Sequence, residues 1–96
     1  MHAMVRTYSG AGAKQLFEVL EERKSDVEAN LRNVPGLVSY TLVRGGDGGM
    51  SVTVCKDKAG IDESLKVSRD WIQKNAPGVL ANPPAISDGV VVVHIN

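Results

Sequence analysis

The chain is 96 residues long, carries 11 Lys and Arg against 11 Asp and Glu, and is 43% hydrophobic and 23% charged. That length gives a prior of one domain, residues 1–96, and the composition is that of a globular protein rather than a disordered one. With no net charge there is no long-range field to draw in nucleic acid or an anionic membrane surface, and neither is expected as a partner.

Cys55 is the only cysteine, so no internal disulfide can form and the fold does not depend on an oxidising compartment. The start of the chain lacks the basic and apolar regions of a secretory leader. No apolar run approaches the roughly 18 residues of a membrane span. The expectation is a cytoplasmic protein.

In chain order, His2–Ser9 contains Val5, Thr7 and Tyr8 and exits through Gly10-Ala11-Gly12, which reads as a first strand. From Ala13 to about Asn33 the period changes. Leu16, Leu20, Val27 and Leu31 fall at helical spacing with Phe17 beside them, and Lys24 fills the gap with its aliphatic stem. Ser25 and Glu28 match a capping box, which would break the run there. Leu20 and Val27 stay in phase, which argues instead for one continuous helix. Val34-Pro35-Gly36 stops it, because proline lacks the N–H and restricts the residue before it.

Leu37–Arg44 and Met50–Lys56 alternate as strands. Val38, Tyr40 and Leu42 share one side, as do Met50, Val52 and Val54. Ser39, Thr41, Ser51, Thr53 and Cys55 occupy the other. Pairing Arg44 with Met50 would make the two apolar sides coincide. It would also leave Gly45-Gly46-Asp47-Gly48-Gly49 as a five-residue hairpin loop. Ile61–Asn75 reads as a second helix with a stripe of Ile61, Leu65, Ser68 and Ile72, ended by Pro77-Gly78. Val79–Gly89 reads as an extended loop, and Val90–Ile95 as a final strand that is apolar on both sides.

The order β-α-β-β-α-β is most simply packed as an α+β, ferredoxin-like antiparallel sheet with two helices on one face. Right-handed crossovers put the first and third strands at the centre. The uncovered face would then carry Ser39, Thr41, Ser51, Thr53 and Cys55, all small and uncharged. Such a face admits a second sheet at close range. A homodimer is expected through these residues together with Val91 and Val93 of the last strand.

The element order, the Val34-Pro35-Gly36-Leu37 lead into the second strand and the "TVCKDKAG" exit from the third resemble the dimeric α+β barrel superfamily. Within it, the chain resembles the antibiotic-biosynthesis-monooxygenase-like proteins, nearly end to end. The resemblance implies two sheets packed face to face into a barrel and a pocket between sheet and helices. It implies either oxidation of polyphenols without a cofactor, haem cleavage, or no assigned activity. Haem-degrading members use an Asn on the first strand with a Trp and a His from the helices. Here the first strand has no Asn, Trp71 is the candidate match, and the second helix offers Ser64, Lys66 and Ser68 where the His would stand.

Five residues are candidates for lining a ligand pocket: Arg6, Tyr8, Tyr40, Trp71 and Asn75. Tyr40 and Trp71 also fall on apolar stripes, where core packing is their ordinary role. The glycine loop joins strand to strand and lacks the following helix and Lys-Ser/Thr of a phosphate loop, so it reads as a turn. Cys55 has no histidine near it in sequence and reads as a packed thiol. His2 and His94 would sit on neighbouring strands, but two ligands make a poor metal site, and no metal is expected. The expected function is binding of a small apolar or aromatic organic molecule by a dimer, with no cofactor. The alternative is a cofactor-independent monooxygenase or isomerase.

Overall fold

Four strands and three helices span residues 1–96 in the computed structural model: β1 (His2–Tyr8), α1 (Ala13–Glu22), α2 (Lys24–Arg32), β2 (Leu37–Gly45), β3 (Gly48–Cys55), α3 (Lys58–Asn75) and β4 (Ala85–Val90). The strands form one antiparallel sheet in the order β2-β3-β1-β4. β1 and β3 are central, as right-handed crossovers require. The fold is α+β and ferredoxin-like, with the helices on one face of the sheet.

The core lies between that face and the helices. Met4 and Tyr8 from β1 meet Leu16, Phe17 and Leu20 from α1, Val27 and Leu31 from α2, and Ile61 from α3. Tyr8 and Phe17 pack edge to face, 5.7 Å between ring centroids, the arrangement their quadrupoles prefer. Two glycines set the spacing of the layers. A Cβ on Gly49 would stand 2.4 Å from the Phe17 ring, so α1 can sit on β3 only where that side chain is missing. A Cβ on Gly60 would stand 2.9 Å from that of Cys55, which lets α3 approach the end of β3. Asp57 caps α3 by accepting the Gly60 N–H at 3.1 Å, the usual role of an aspartate there.

The structure departs from the sequence reading in four places. The long helix is two, broken at Arg23 (φ −107°, ψ 30°) rather than continuous or capped at Ser25. The bend lets α1 lie on β3 while α2 turns towards β2 and α3. The bend is tied to the end of α3 by Arg23, which donates to Asn75 Oδ1 at 2.8 Å.

The hairpin turn is shorter than expected. Gly45 pairs with Gly48, so Gly46-Asp47 alone makes the turn, with Gly46 at φ +54°. The register follows from that. Val43, not Arg44, pairs with Met50; Leu42 pairs with Ser51 and Tyr40 with Thr53. A slip of one residue exchanges the two sides of a strand. Ser51, Thr53 and Cys55 therefore face the helices and are buried, while Met50, Val52 and Val54 lie on the open face. Ser39 and Thr41, paired with Val54 and Val52, share that open face as expected. A bulge at Val38 shifts the register near the start of β2.

The last strand is Ala85–Val90, not Val90–Ile95. Its ladder stops where β1 begins: Val90 pairs with His2, and one further bond joins Val91 N–H to the Met1 carbonyl. Beyond that no strand remains to pair with. Val91 and Val93 thus lie past the sheet.

Candidate functional site

β1 alternates, and its inward residues are Met4, Arg6 and Tyr8. A strand that buries its inward side must bury Arg6 too, and the residue is only 2% exposed. The guanidinium is held from two sides. Its Nε donates to Ser51 Oγ of β3 at 3.1 Å and its Nη2 to Ser68 Oγ of α3 at 3.1 Å. None of the ion pairs involves Arg6. Removing a cation from water without a counter-ion costs several kcal/mol, and two neutral hydroxyls offset only part of that.

Tyr40 reaches the same place from β2. Burial pushes its phenol above the usual value; the Arg6 charge opposes this, Tyr8 adds to it, and hydrogen bonding with Ser51 and Arg6 opposes it again. Tyr40 is thus a neutral O–H donor beside a fixed positive charge. The Thr53 hydroxyl, paired across from Tyr40, is buried and has no hydrogen-bond partner. An orphaned buried hydroxyl of this kind calls for an explanation. Ser64, fully buried on α3, satisfies itself by donating to the Ile61 carbonyl at 2.7 Å.

Tyr40 also borders a groove at the edge of the sheet. The helices do not fully cover β2, and a groove of about 390 Å³ lies between β2 and α2. Val27, Leu31, Leu37, Val38, Tyr40 and Leu42 make its apolar walls, with Lys24, Glu28 and Arg32 at the α2 side. A second depression of about 320 Å³ shares Lys24 and Leu42 and continues over Phe17, Leu20, Glu21 and Arg44. An apolar groove of this size with a few polar groups is the usual form of a small-molecule site; here Tyr40 is the group that joins its wall to the buried cluster around Arg6.

Of the five expected pocket residues, Tyr40 alone lines this groove; Arg6 and Tyr8 lie near enough to act on its phenol, and Tyr8 itself borders the depression at the glycine turn. Trp71 and Asn75 lie elsewhere, in a polar groove between α2 and α3 with Asp26, Asn30 and Lys74. Asn75 is engaged at the α1–α2 bend, accepting from Arg23 and donating to the Trp71 carbonyl at 2.9 Å. Trp71 is half-buried and borders a small void with Leu20, Val27, Leu31, Ser68 and Ile72. The partners of Arg6 went unnoticed in the sequence. Ser68 carried a signal: a serine in the buried stripe of a helix needs a polar neighbour.

The remaining candidates have other surroundings. Cys55 is fully buried, and burial together with the Asp57 charge pushes its thiol up, which keeps it protonated and unreactive. His2 is engaged by a carboxylate: its Nε2 lies 2.9 Å from Asp88 Oδ2, and Lys58 Nζ is 3.6 Å from the same oxygen, while His94 lies past the end of β4. No three His, Cys, Asp or Glu side chains cluster as metal ligands would. No helix is long and apolar enough to cross a membrane. Beside the glycine turn lies an open depression of about 460 Å³ bordered by Tyr8, Gly48, Gly49 and Met50.

No protein-family model and no curated protein matches the sequence. Solved structures do match. A protein of unknown function from Nitrosomonas europaea, NE2512, superposes with a TM-score of 0.72 at 16% identity, over 99% of this chain and 91% of that one. A dimeric ferredoxin-like protein from an uncultured marine organism gives 0.66 at 14% identity, over 99% and 95%. SnoaB, a cofactor-independent oxygenase from Streptomyces nogalater, matched in a mutant form, gives 0.58 at 18% identity, over 98% and 93%. Chains assigned to the antibiotic biosynthesis monooxygenases are among the other matches. This chain has their fold. At these identities the likeness is one of architecture.

Proposed function

We propose that this protein binds a small aromatic or otherwise apolar molecule in the groove between β2 and α2, with an acidic or enolic oxygen of that molecule directed at Tyr40 and Arg6. One observation carries the reading: a buried guanidinium that has hydroxyl partners and no carboxylate. Such a charge is costly unless something anionic visits it. The neutral Tyr40 O–H and the guanidinium would act as two fixed donors on one ligand oxygen, and the Thr53 hydroxyl lies close to the same seam.

The probe is 1-hydroxy-2-naphthoate against its neutral methyl-ether ester, titrated calorimetrically. The anion should bind more tightly, and Arg6→Met should abolish the preference. Equal binding of both probes, or an unchanged preference in Arg6→Met, would refute this reading.

The same cation favours a second reading, cofactor-independent oxygenation. A guanidinium lowers the pKa of a bound phenol, and the phenolate is the form that gives up electrons to dioxygen. SnoaB, a cofactor-independent oxygenase, has this fold. Oxygen uptake with a polyphenol substrate, lost in Arg6→Met, would support it; binding without uptake would leave a binding protein.

The working unit we propose is a homodimer joined through the open face of the sheet. That face carries Val5, Val43, Met50, Val52 and Val54 with the small Ala3, Ser39 and Thr41; the helices pack on the other side, and Val54 alone of these is buried. Val43 and Met50 are 43% and 39% exposed. A contiguous apolar sheet face of this kind marks an interface. A structure with this fold is described as dimeric.

A further inference from the structure

Helices that pack side by side ordinarily turn apolar side chains towards each other. Outside the core, α2 and α3 do the reverse. Asp26, Asn30 and Asn33 follow one another along α2 and its C-cap, and Asp70, Trp71 and Lys74 face them from α3, around a groove of about 540 Å³. That volume falls within the roughly 300–1,000 Å³ usual for small-molecule pockets. No strand contributes to this groove, and it shares no residue with the groove between β2 and α2. Pairing of two sheets face to face would leave it open.

Trp71 stands between the groove and the interior. It is half-buried, with the polar groove on one side and on the other the small void bounded by Leu20, Val27, Leu31 and Ile72. The core therefore holds the ring in place. None of the side-chain hydrogen bonds uses its indole N–H, which is left for a ligand.

The amides around it are fixed as well. Asn30 Nδ2 donates to the Val67 carbonyl at 3.5 Å, Asn33 Nδ2 to the Ala29 carbonyl at 3.2 Å, and Asn75 Nδ2 to the Trp71 carbonyl at 2.9 Å. Each amide keeps a second N–H, and Asn30 and Asn33 also keep their oxygens. Asp26, Asp70 and Lys74 enter no ion pair. Donors and acceptors thus alternate around one aromatic side chain, with two carboxylates against one ammonium.

This mixture selects a ligand by elimination. An organic cation would meet Lys74, and an anion would meet Asp26 and Asp70. An apolar molecule would strip water from the amides and carboxylates without replacing it. A pyranose has none of these faults. Its hydroxyls both donate and accept, so they pair with amide and carboxylate alike. Its axial C–H groups carry slight positive charge and suit the negative face of an indole.

We propose that the groove between α2 and α3 is a second ligand site, which takes a pyranose sugar stacked on Trp71, with Asn30, Asn33 and Asp70 as partners of its hydroxyls. The site stands apart from the β2–α2 groove and does not depend on the function proposed for that groove.

Trp71 is the only tryptophan, so the fluorescence of the full-length protein reads this site directly. Titration with methyl β-cellobioside, whose ring substituents are all equatorial, should change the emission saturably at millimolar sugar or below. Sorbitol, which has the hydroxyls without a ring, and choline, a cation, should leave it unchanged. Asp70→Ala alters an exposed side chain. It should weaken sugar binding about tenfold, the loss expected for a hydrogen bond to a charged group, with the melting temperature unchanged. Arg6→Met should bind the sugar as the parent does. No saturable change at millimolar sugar, an equal response to sorbitol or choline, or an affinity untouched by Asp70→Ala would overturn the proposal. Loss of sugar binding in Arg6→Met would place the sugar in the other groove and overturn it too.

Discussion

Arg6 shows how one residue can work against stability and for function. Its guanidinium is buried on two serine hydroxyls without a counter-charge. Replacing a buried ion by an apolar side chain of similar volume is often neutral or stabilising. Arg6→Met should therefore unfold in urea within about 1 kcal/mol of the parent, or above it, even though it loses anion binding. A loss of several kcal/mol would mean that the hydroxyl contacts are structural. Gly49 has the opposite character. A Cβ there meets the Phe17 ring at 2.4 Å and the Val43 carbonyl. Gly49→Ala should cost about 2–3 kcal/mol through overpacking, read as a lower urea midpoint. Gly45 has open space around its Cβ position, so Gly45→Ala should change the midpoint little and serves as the control.

The element whose attachment depends most on charge is β4. Its residues are all exposed, and its side-chain anchor is Asp88, in contact with His2 of β1 and Lys58 of α3. The His2 hydrogen bond, then the Lys58 charge, hold the Asp88 carboxyl below its usual value. A depressed carboxylate stabilises the fold in full above the unfolded value of about 4. That contribution fades as pH falls through the lower folded value. Amide protection factors along the β1–β4 ladder, corrected for the intrinsic exchange rate, should therefore fall under acid conditions below about pH 4. Asp88→Asn should remove most of that pH dependence. An identical acid profile in the variant would show that Asp88 does not hold the edge.

For the whole molecule, the open sheet face decides the assembly. Val52 stands near its middle, paired with Val5 on one side and Thr41 on the other. Val52→Lys would bury like charges against their symmetry copies, a cost of several kcal/mol per unpaired ion. The parent should sediment as a dimer at micromolar concentration, and the variant as a 10.2 kDa monomer with near-native circular dichroism. A stable interface requires burial of about 1,200–2,000 Å². A parent that sediments as a monomer would sink the assembly.

Much of the architecture was legible in the amino-acid order alone. Strand alternation, helical spacing and the stops at Pro35 and Pro77 placed the first three strands and the last helix, and chirality ordered the four strands, because these depend on local sterics and period. The register of β2 on β3 was not legible. Both sides of β3 look tolerable in isolation: one is Met50, Val52 and Val54, the other Ser51, Thr53 and Cys55. The choice between them depended on contacts distant in sequence, namely the missing Gly49 side chain under Phe17 and the hydroxyl partners that buried Arg6 requires. The place of β4, at Ala85–Val90 where the sequence reads as loop, was likewise decided by its neighbour, since a strand lasts only as long as the ladder beside it. Arg6, Tyr8 and Tyr40 could be named from composition and position. Their convergence with Ser51 and Ser68, and the departure of Trp71 and Asn75 to another groove, followed from the register and from the bend at Arg23, which only the packed chain determines.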